Sequence, residues 1–138
     1  MKHPSQFKVN EAWIAFRLND EPIRTKQDGS FHCVCLMDAA SCYILGNAMI
    51  PAHEPEPSQL ESLRLLEAGR AHKNELPKTL LLPTGQFQTH LAEQAKSKGI
   101  DVVSVEEDEL LVFIGEARQG FREQVQGGSR PRRRQGRK

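Results

Sequence analysis

The stretch KTLLLPTGQFQTHLAEQAKSKGIDVVSV, residues 78–105, decides the architecture. Residues 78–82 (KTLLL) are a short apolar run of strand length, and Pro83-Thr84-Gly85 breaks it. Phe87, Leu91 and Ala95 lie four apart, so the spacing predicts a helix from about Gln86 to Lys98, closed by Gly99. Residues 100–105 (IDVVSV) read as a second buried strand. Strand, helix and strand in so short a span imply parallel strands joined by a right-handed crossover.

Working outward, the acids at 106–109 suit a helix N-terminus, where the helix dipole favours negative charge. Leu111, Ile114, Arg118, Phe121 and Val125 then step by three and four, which predicts a last helix from about Asp108 to Gln126. Gly127-Gly128 should end it. Upstream, Ser58 and Glu61 form a capping box, S-x-x-E, and open another helix. Leu60, Leu63, Leu66 and Ala71 are its expected apolar stripe. Gly69 weakens its last part, and the helix should end near Asn74, ahead of Pro77. Residues 51–57 (PAHEPEP) hold three prolines and cannot continue a strand.

Residues 31–37 (FHCVCLM) are apolar on both faces, as in a central strand covered on both sides. A turn at Asp38-Ala39-Ala40-Ser41 leads to residues 42–50 (CYILGNAMI), expected to pair back as a hairpin with Gly46 at a bulge. Residues 12–18 (AWIAFRL) fit a strand or a short helix. Residues 21–30 read as turn and edge, with Asp28-Gly29 the strongest turn signal. The expected fold is α/β: a mixed sheet, with an N-terminal antiparallel hairpin and a parallel βαβα part, and helices on its faces. Residues 1–126 form one domain.

Composition narrows the function classes. The chain has 138 residues, 38% apolar and 27% charged, which suits one soluble core. The net charge of +1 hides an asymmetry. Residues 127–138 (GGSRPRRRQGRK) hold six of the 19 bases and no acid, which leaves 13 bases against 18 acids in residues 1–126. The body is therefore acidic and the tail is a basic arm, expected to be disordered. The first eighteen residues lack the apolar core of a signal peptide, and no run reaches the about 20 apolar residues of a membrane span. A cytoplasmic protein without a membrane partner is the expectation. Cys33, Cys35 and Cys42 are too few for a disulfide framework. A zinc site from them with His32 or His53 lacks the paired C-x2-C spacing, so no metal site is assigned and the thiols read as core. Zinc-protease, nucleotide-loop and nucleophile-elbow motifs are absent.

Two runs do resemble something. FHCVCLMDAASCYILGNAMI (31–50), with Asp38, Ser41 and Gly46, is similar to the opening hairpin of a ribonuclease H-like domain of the integrase and transposase type. PKTLLLPTGQFQTHLAEQAKSKGIDVVSV (77–105) resembles a later part of the same family through Gly85, Phe87, Gly99 and Ile100. The resemblance implies a ribonuclease H-like fold and three carboxylates. The first would be Asp38, at the end of the family's first strand. The second position holds Thr84. The third, on the last helix, would be Glu116, 32 residues further on. In that family such carboxylates hold two Mg²⁺ or Mn²⁺ ions for phosphodiester cleavage. A neutral threonine is a poor substitute at a hard dication.

Simpler roles exist for each residue. Asp38 suits a turn, bonding the backbone N–H groups that follow it. Thr84 suits the N-cap of the next helix. Glu116 suits a solvated helix surface. Three functions follow. The first is a binding or adaptor domain without catalysis and without a cofactor, contacting RNA or DNA through Arg130, Arg132, Arg133, Arg134, Arg137 and Lys138. The second is a phosphodiesterase using Asp38 and Glu116 with Mg or Mn. The third is a self-associating structural protein, with a protein partner or a second copy on an apolar patch of the first strand or last helix.

Overall fold

Alternating apolar side chains on both faces make β1 (Ala12–Arg17, AWIAFR) the middle of the sheet. The computed structural model describes residues 6–19, 23–25 and 29–128. Within them the chain continues through β2 (Ile23–Thr25), β3 (Gly29–Asp38), β4 (Ile44–Pro51), α1 (Gln59–Lys73), β5 (Thr79–Pro83), α2 (His90–Ser97), β6 (Asp101–Val105) and α3 (Glu107–Gly128). The order across the sheet is β4-β3-β1-β5-β6. β2 pairs with the start of β3 on the edge that β1 uses further along, so it prolongs the line of β1. β3 is antiparallel to both β1 and β4, whereas β1, β5 and β6 run parallel. The mixed sheet is therefore as expected, and residues 12–17 are strand. The register between β3 and β4 slips where Leu36 faces Gly46 and Met37 faces Ile44, so the bulge lies at Leu45, beside the expected glycine.

The pleat sends side chains alternately to two cores. Trp13, Ala15, Val34 and Leu36 face α1 and α2, packing on Leu65, Leu66, Leu91 and Ala95. Ile14, Phe16, Cys33, Cys35 and Met37 face α3, packing on Leu110, Phe113 and Ile114. Burying such side chains stabilises the fold by roughly 1.5–3 kcal/mol each.

Three expectations about helices need correction. On α1 the buried residues are Ser62, Leu65, Leu66 and Gly69, and Leu60 is 55% exposed. The reason is Gly69: a Cβ there would lie 2.7 Å from the Trp13 ring, so this glycine lets the helix sit directly on the indole. α2 starts later than Gln86, because Phe87 is held at φ +58 and cannot be helical. Burial of its ring in the α1 and α2 core compensates for that strained backbone. On α3 the inward residues are Leu110, Phe113, Ile114 and Arg118, while Leu111 is 47% exposed. The helix is therefore rotated relative to the expected stripe.

α1 opens with both halves of its capping box formed. It closes at Asn74, whose left-handed backbone (φ 57) suits an asparagine C-cap. No helix among the described residues is long and apolar enough to cross a membrane. The cationic residues at 130–138 lie outside the described residues, as do the turn residues Asp28 and those just before β2.

Candidate functional site

Open α/β sheets place their sites at the carboxyl ends of parallel strands. Here β1 ends on Phe16-Arg17, and β5 ends on Leu82-Pro83 with Thr84 following. None of these is an acid. Phe16 is fully buried under α3. The buried Arg118 of α3 donates from Nε to the Arg17 carbonyl at 3.0 Å and ion-pairs with Glu107, just after β6. The Arg118 guanidinium, paired with Glu107, therefore covers the carboxyl end of β1.

The acid expected there lies elsewhere. Asp38 ends β3, the antiparallel neighbour of the central strand, and pairs with Trp13 near the start of β1. Trp13 in turn faces Leu80 near the start of β5. Asp38 thus stands at the amino end of the parallel strands. Its buried carboxylate accepts from the Asn10 N–H at 2.6 Å, the Ser41 N–H at 2.9 Å and the Ser41 hydroxyl at 2.8 Å. Asn10, left-handed at φ 67, accepts from Trp13 Nε1 at 2.8 Å and donates to the Glu75 carbonyl. The turn role read from the sequence describes Asp38 well: it ties the β3–β4 turn to the segment that enters β1.

Glu116 and Thr84 do not join it. Glu116 is exposed on α3 and lines a cavity of about 290 Å³ with Met37, Cys42 and Phe113. Met37 and Asp38 are successive strand residues, so their side chains take opposite faces. Asp38 faces the α1 side, with Asn10 and His72, and Glu116 the α3 side. Thr84 is exposed in the turn after β5, and the helix N-cap is Thr89 instead. Residues 12–17, and not the first strand of the 31–50 hairpin, occupy the sheet's centre. Their alternation carried that signal, but no charged residue within AWIAF drew attention to it.

The cysteines behave as core. Cys33 and Cys35 are free and buried on the α3 face. A hydrogen bond between the two thiols lowers Cys33 from its ordinary value, and the same bond with burial pushes Cys35 far up. Burial also raises Cys42, helped by the nearby charges of Glu116 and Asp38. His32 is buried on the opposite face from Cys33, so it cannot complete a zinc site with it. Burial, reinforced by the charge of Arg17, lowers the His32 pKa from its ordinary value, against a hydrogen bond with the Ala52 backbone. Among the described residues no three His, Cys, Asp or Glu side chains gather to hold a metal ion.

No protein-family model matches this chain, and no curated protein matches it. Solved structures do. A chain of the simian T-cell lymphotropic virus intasome, in complex with the PP2A regulatory subunit B56 gamma, matches at TM-score 0.54 and 13% identity over 89% of this chain. This chain spans 44% of that one. The catalytic core domain of BIV integrase matches at TM-score 0.54 and 11% identity, over 87% of this chain and 72% of that one. The HTLV-2 integrase catalytic core domain with magnesium matches at TM-score 0.50 and 12% identity, over 79% and 82%. At such identities the likeness concerns the fold: a ribonuclease H-like α/β domain.

Proposed function

We propose that this ribonuclease H-like domain binds rather than cleaves and serves as an adaptor. One observation carries the reading: β1 and β5 end on Phe16-Arg17 and Pro83-Thr84, the Arg118 guanidinium bonds the Arg17 carbonyl, and Asp38 is engaged at the other end. Two-metal phosphodiester cleavage needs acidic oxygens that clamp both cations, and these side chains supply none. The fold provides a platform, and the basic segment supplies phosphate contacts for RNA or DNA. Arginine suits that task through its planar fork of donors.

The test is a paired cleavage and binding assay on single- and double-stranded RNA and DNA with Mg²⁺ or Mn²⁺. No cleavage is expected. Binding should weaken steeply with salt, with a log–log slope of about −5 if all six cationic residues contact phosphates of B-form DNA. It should vanish when residues 129–138 are removed. Divalent-dependent cleavage abolished by Asp38→Ala would overturn the reading, and tight binding that survives the deletion would remove the segment from it.

Self-association has one observation in its favour. Leu111 and Val112 of α3 are 47% and 54% exposed side by side, whereas the first strand is buried and offers no patch. Sedimentation of Val112→Glu against wild type tests it, and a strict monomer in both excludes it.

A further inference from the structure

The amino end of the parallel strands opens into a cavity of about 410 Å³. That size lies within the range of small-ligand sites. Asn10, Asp38, Ser41, Tyr43, Leu45 and His72 line it, and none of them belongs to the carboxyl ends of β1 and β5. Its walls come from three places: the segment before β1, the β3–β4 turn, and the last turn of α1.

The chemistry of the lining is one-sided. Asp38 is its fixed charge, and its oxygens retain acceptor capacity beyond the three bonds already made. The His72 ring meets the Leu45 carbonyl through Nε2 at 3.2 Å, a contact in which Nε2 must donate. His72 sits in the last turn of α1, whose final carbonyls carry the negative end of the helix dipole. Tyr43 is 58% exposed and meets His72 edge-to-face at 5.1 Å between ring centres, so its ring stands as a steady wall. A carboxylate and an open aromatic face call for a flat, cationic, donor-rich group. The neighbouring cavity beyond Val9 and Asn10 mixes Lys8 and Lys78 with Glu11 and Glu75 and has no such bias.

The geometry points to an arginine side chain of a basic peptide segment as the occupant: guanidinium against Asp38, with its plane on Tyr43. A lysine ammonium would satisfy Asp38 but use the ring face less well, and a nucleotide phosphate would meet a carboxylate. The inference rests on the reading of the domain as a binding module, and the two fail separately. Metal-dependent cleavage overturns the module; absence of an arginine response overturns only the cavity's assignment.

The experiment is an amide-shift titration of the full chain with acetyl-Gly-Arg-Gly-amide and its lysine and citrulline counterparts. It is repeated on a full chain in which Arg130, Arg132, Arg133, Arg134 and Arg137 are serine, so that occupancy by the chain's own arginines cannot mask the response. Saturable shifts at Asn10, Ser41, Tyr43 and His72 are expected in at least one of the two chains. The lysine peptide should bind about fivefold more weakly and the citrulline peptide not saturably. Tyr43→Ala, at an exposed side chain, should weaken the arginine peptide by about fivefold without changing the fold. Asp38→Asn should abolish it, and Tyr43→Ala stands alone if that variant unfolds. Absence of saturable shifts from both chains, an equal response to citrulline, or shifts confined to the Lys8–Glu75 side would overturn the assignment.

Discussion

The two ends of β1 carry opposite chemistry. At the amino end a buried carboxylate gathers three donors and holds the incoming chain, the β3–β4 turn and the Trp13 indole in one knot. At the carboxyl end an arginine reaches over from α3 and bonds a strand carbonyl. The acids nearest that end follow β6, and one of them, Glu107, is paired with Arg118. The lesson is that a carboxylate's chemistry is set by the strand and strand end that carry it. A turn motif around an acid does not establish that placement.

The sharpest way to break the comparison is at the amino end. Asp38→Ala leaves the Asn10 and Ser41 N–H groups without their acceptor, in a site that is 2% exposed at Asp38. A loss of about 3 kcal/mol in urea unfolding is expected, with Asp38→Asn milder because one acceptor oxygen survives. A change below half a kcal/mol would mean that the knot does not hold the fold.

At the carboxyl end, Arg118→Met removes a charged donor to the Arg17 carbonyl. About 1.5 kcal/mol is expected, mostly from that hydrogen bond, since Glu107 is 38% exposed and water screens its ion pair. An unchanged unfolding midpoint would remove Arg118 as the closure of this end.

Gly69→Ala sharpens the account of Trp13. The added methyl would overlap the indole at 2.7 Å, costing about 2 kcal/mol, while better helix propensity returns about 1. A net loss of about 1 kcal/mol is expected, with a shift in the emission of the chain's single tryptophan. A stabilised variant would show that the ring moves aside freely.

The smallest effects are two. Glu116→Ala should change stability by less than about 0.5 kcal/mol, as for an exposed helix residue. His32 gives a pH signature. Its folded pKa lies below the ordinary 6.5, so above that value neither state binds the proton and stability is full. As pH falls below 6.5 the unfolded chain takes the proton first, and stability declines towards the folded pKa. Unfolding curves at pH 7.5 and 5.5 should show this decline, and His32→Phe should reduce it.

Much of the fold was legible because period and punctuation agree. The apolar runs at 78–82 and 100–105 reappear as β5 and β6, although β6 is a largely exposed edge strand and not the buried one expected. The capping box at Ser58 and Glu61 and the bulge near Gly46 reappear too. What escaped depended on contacts distant in sequence. Nothing local shows that Gly69 meets Trp13, or that Phe87 adopts a left-handed backbone to reach the core. The site was less legible still. Asp38 stood out as an acid at a strand end, yet its strand neighbours decide which end of the sheet it serves.

The central claim is that the carboxyl end of β1 and β5 holds no pair of catalytic cations. Calorimetric titration of the wild-type chain with Mn²⁺ tests it most directly. It should show no saturable heat at millimolar Mn²⁺. Stoichiometric Mn²⁺ binding would contradict the account.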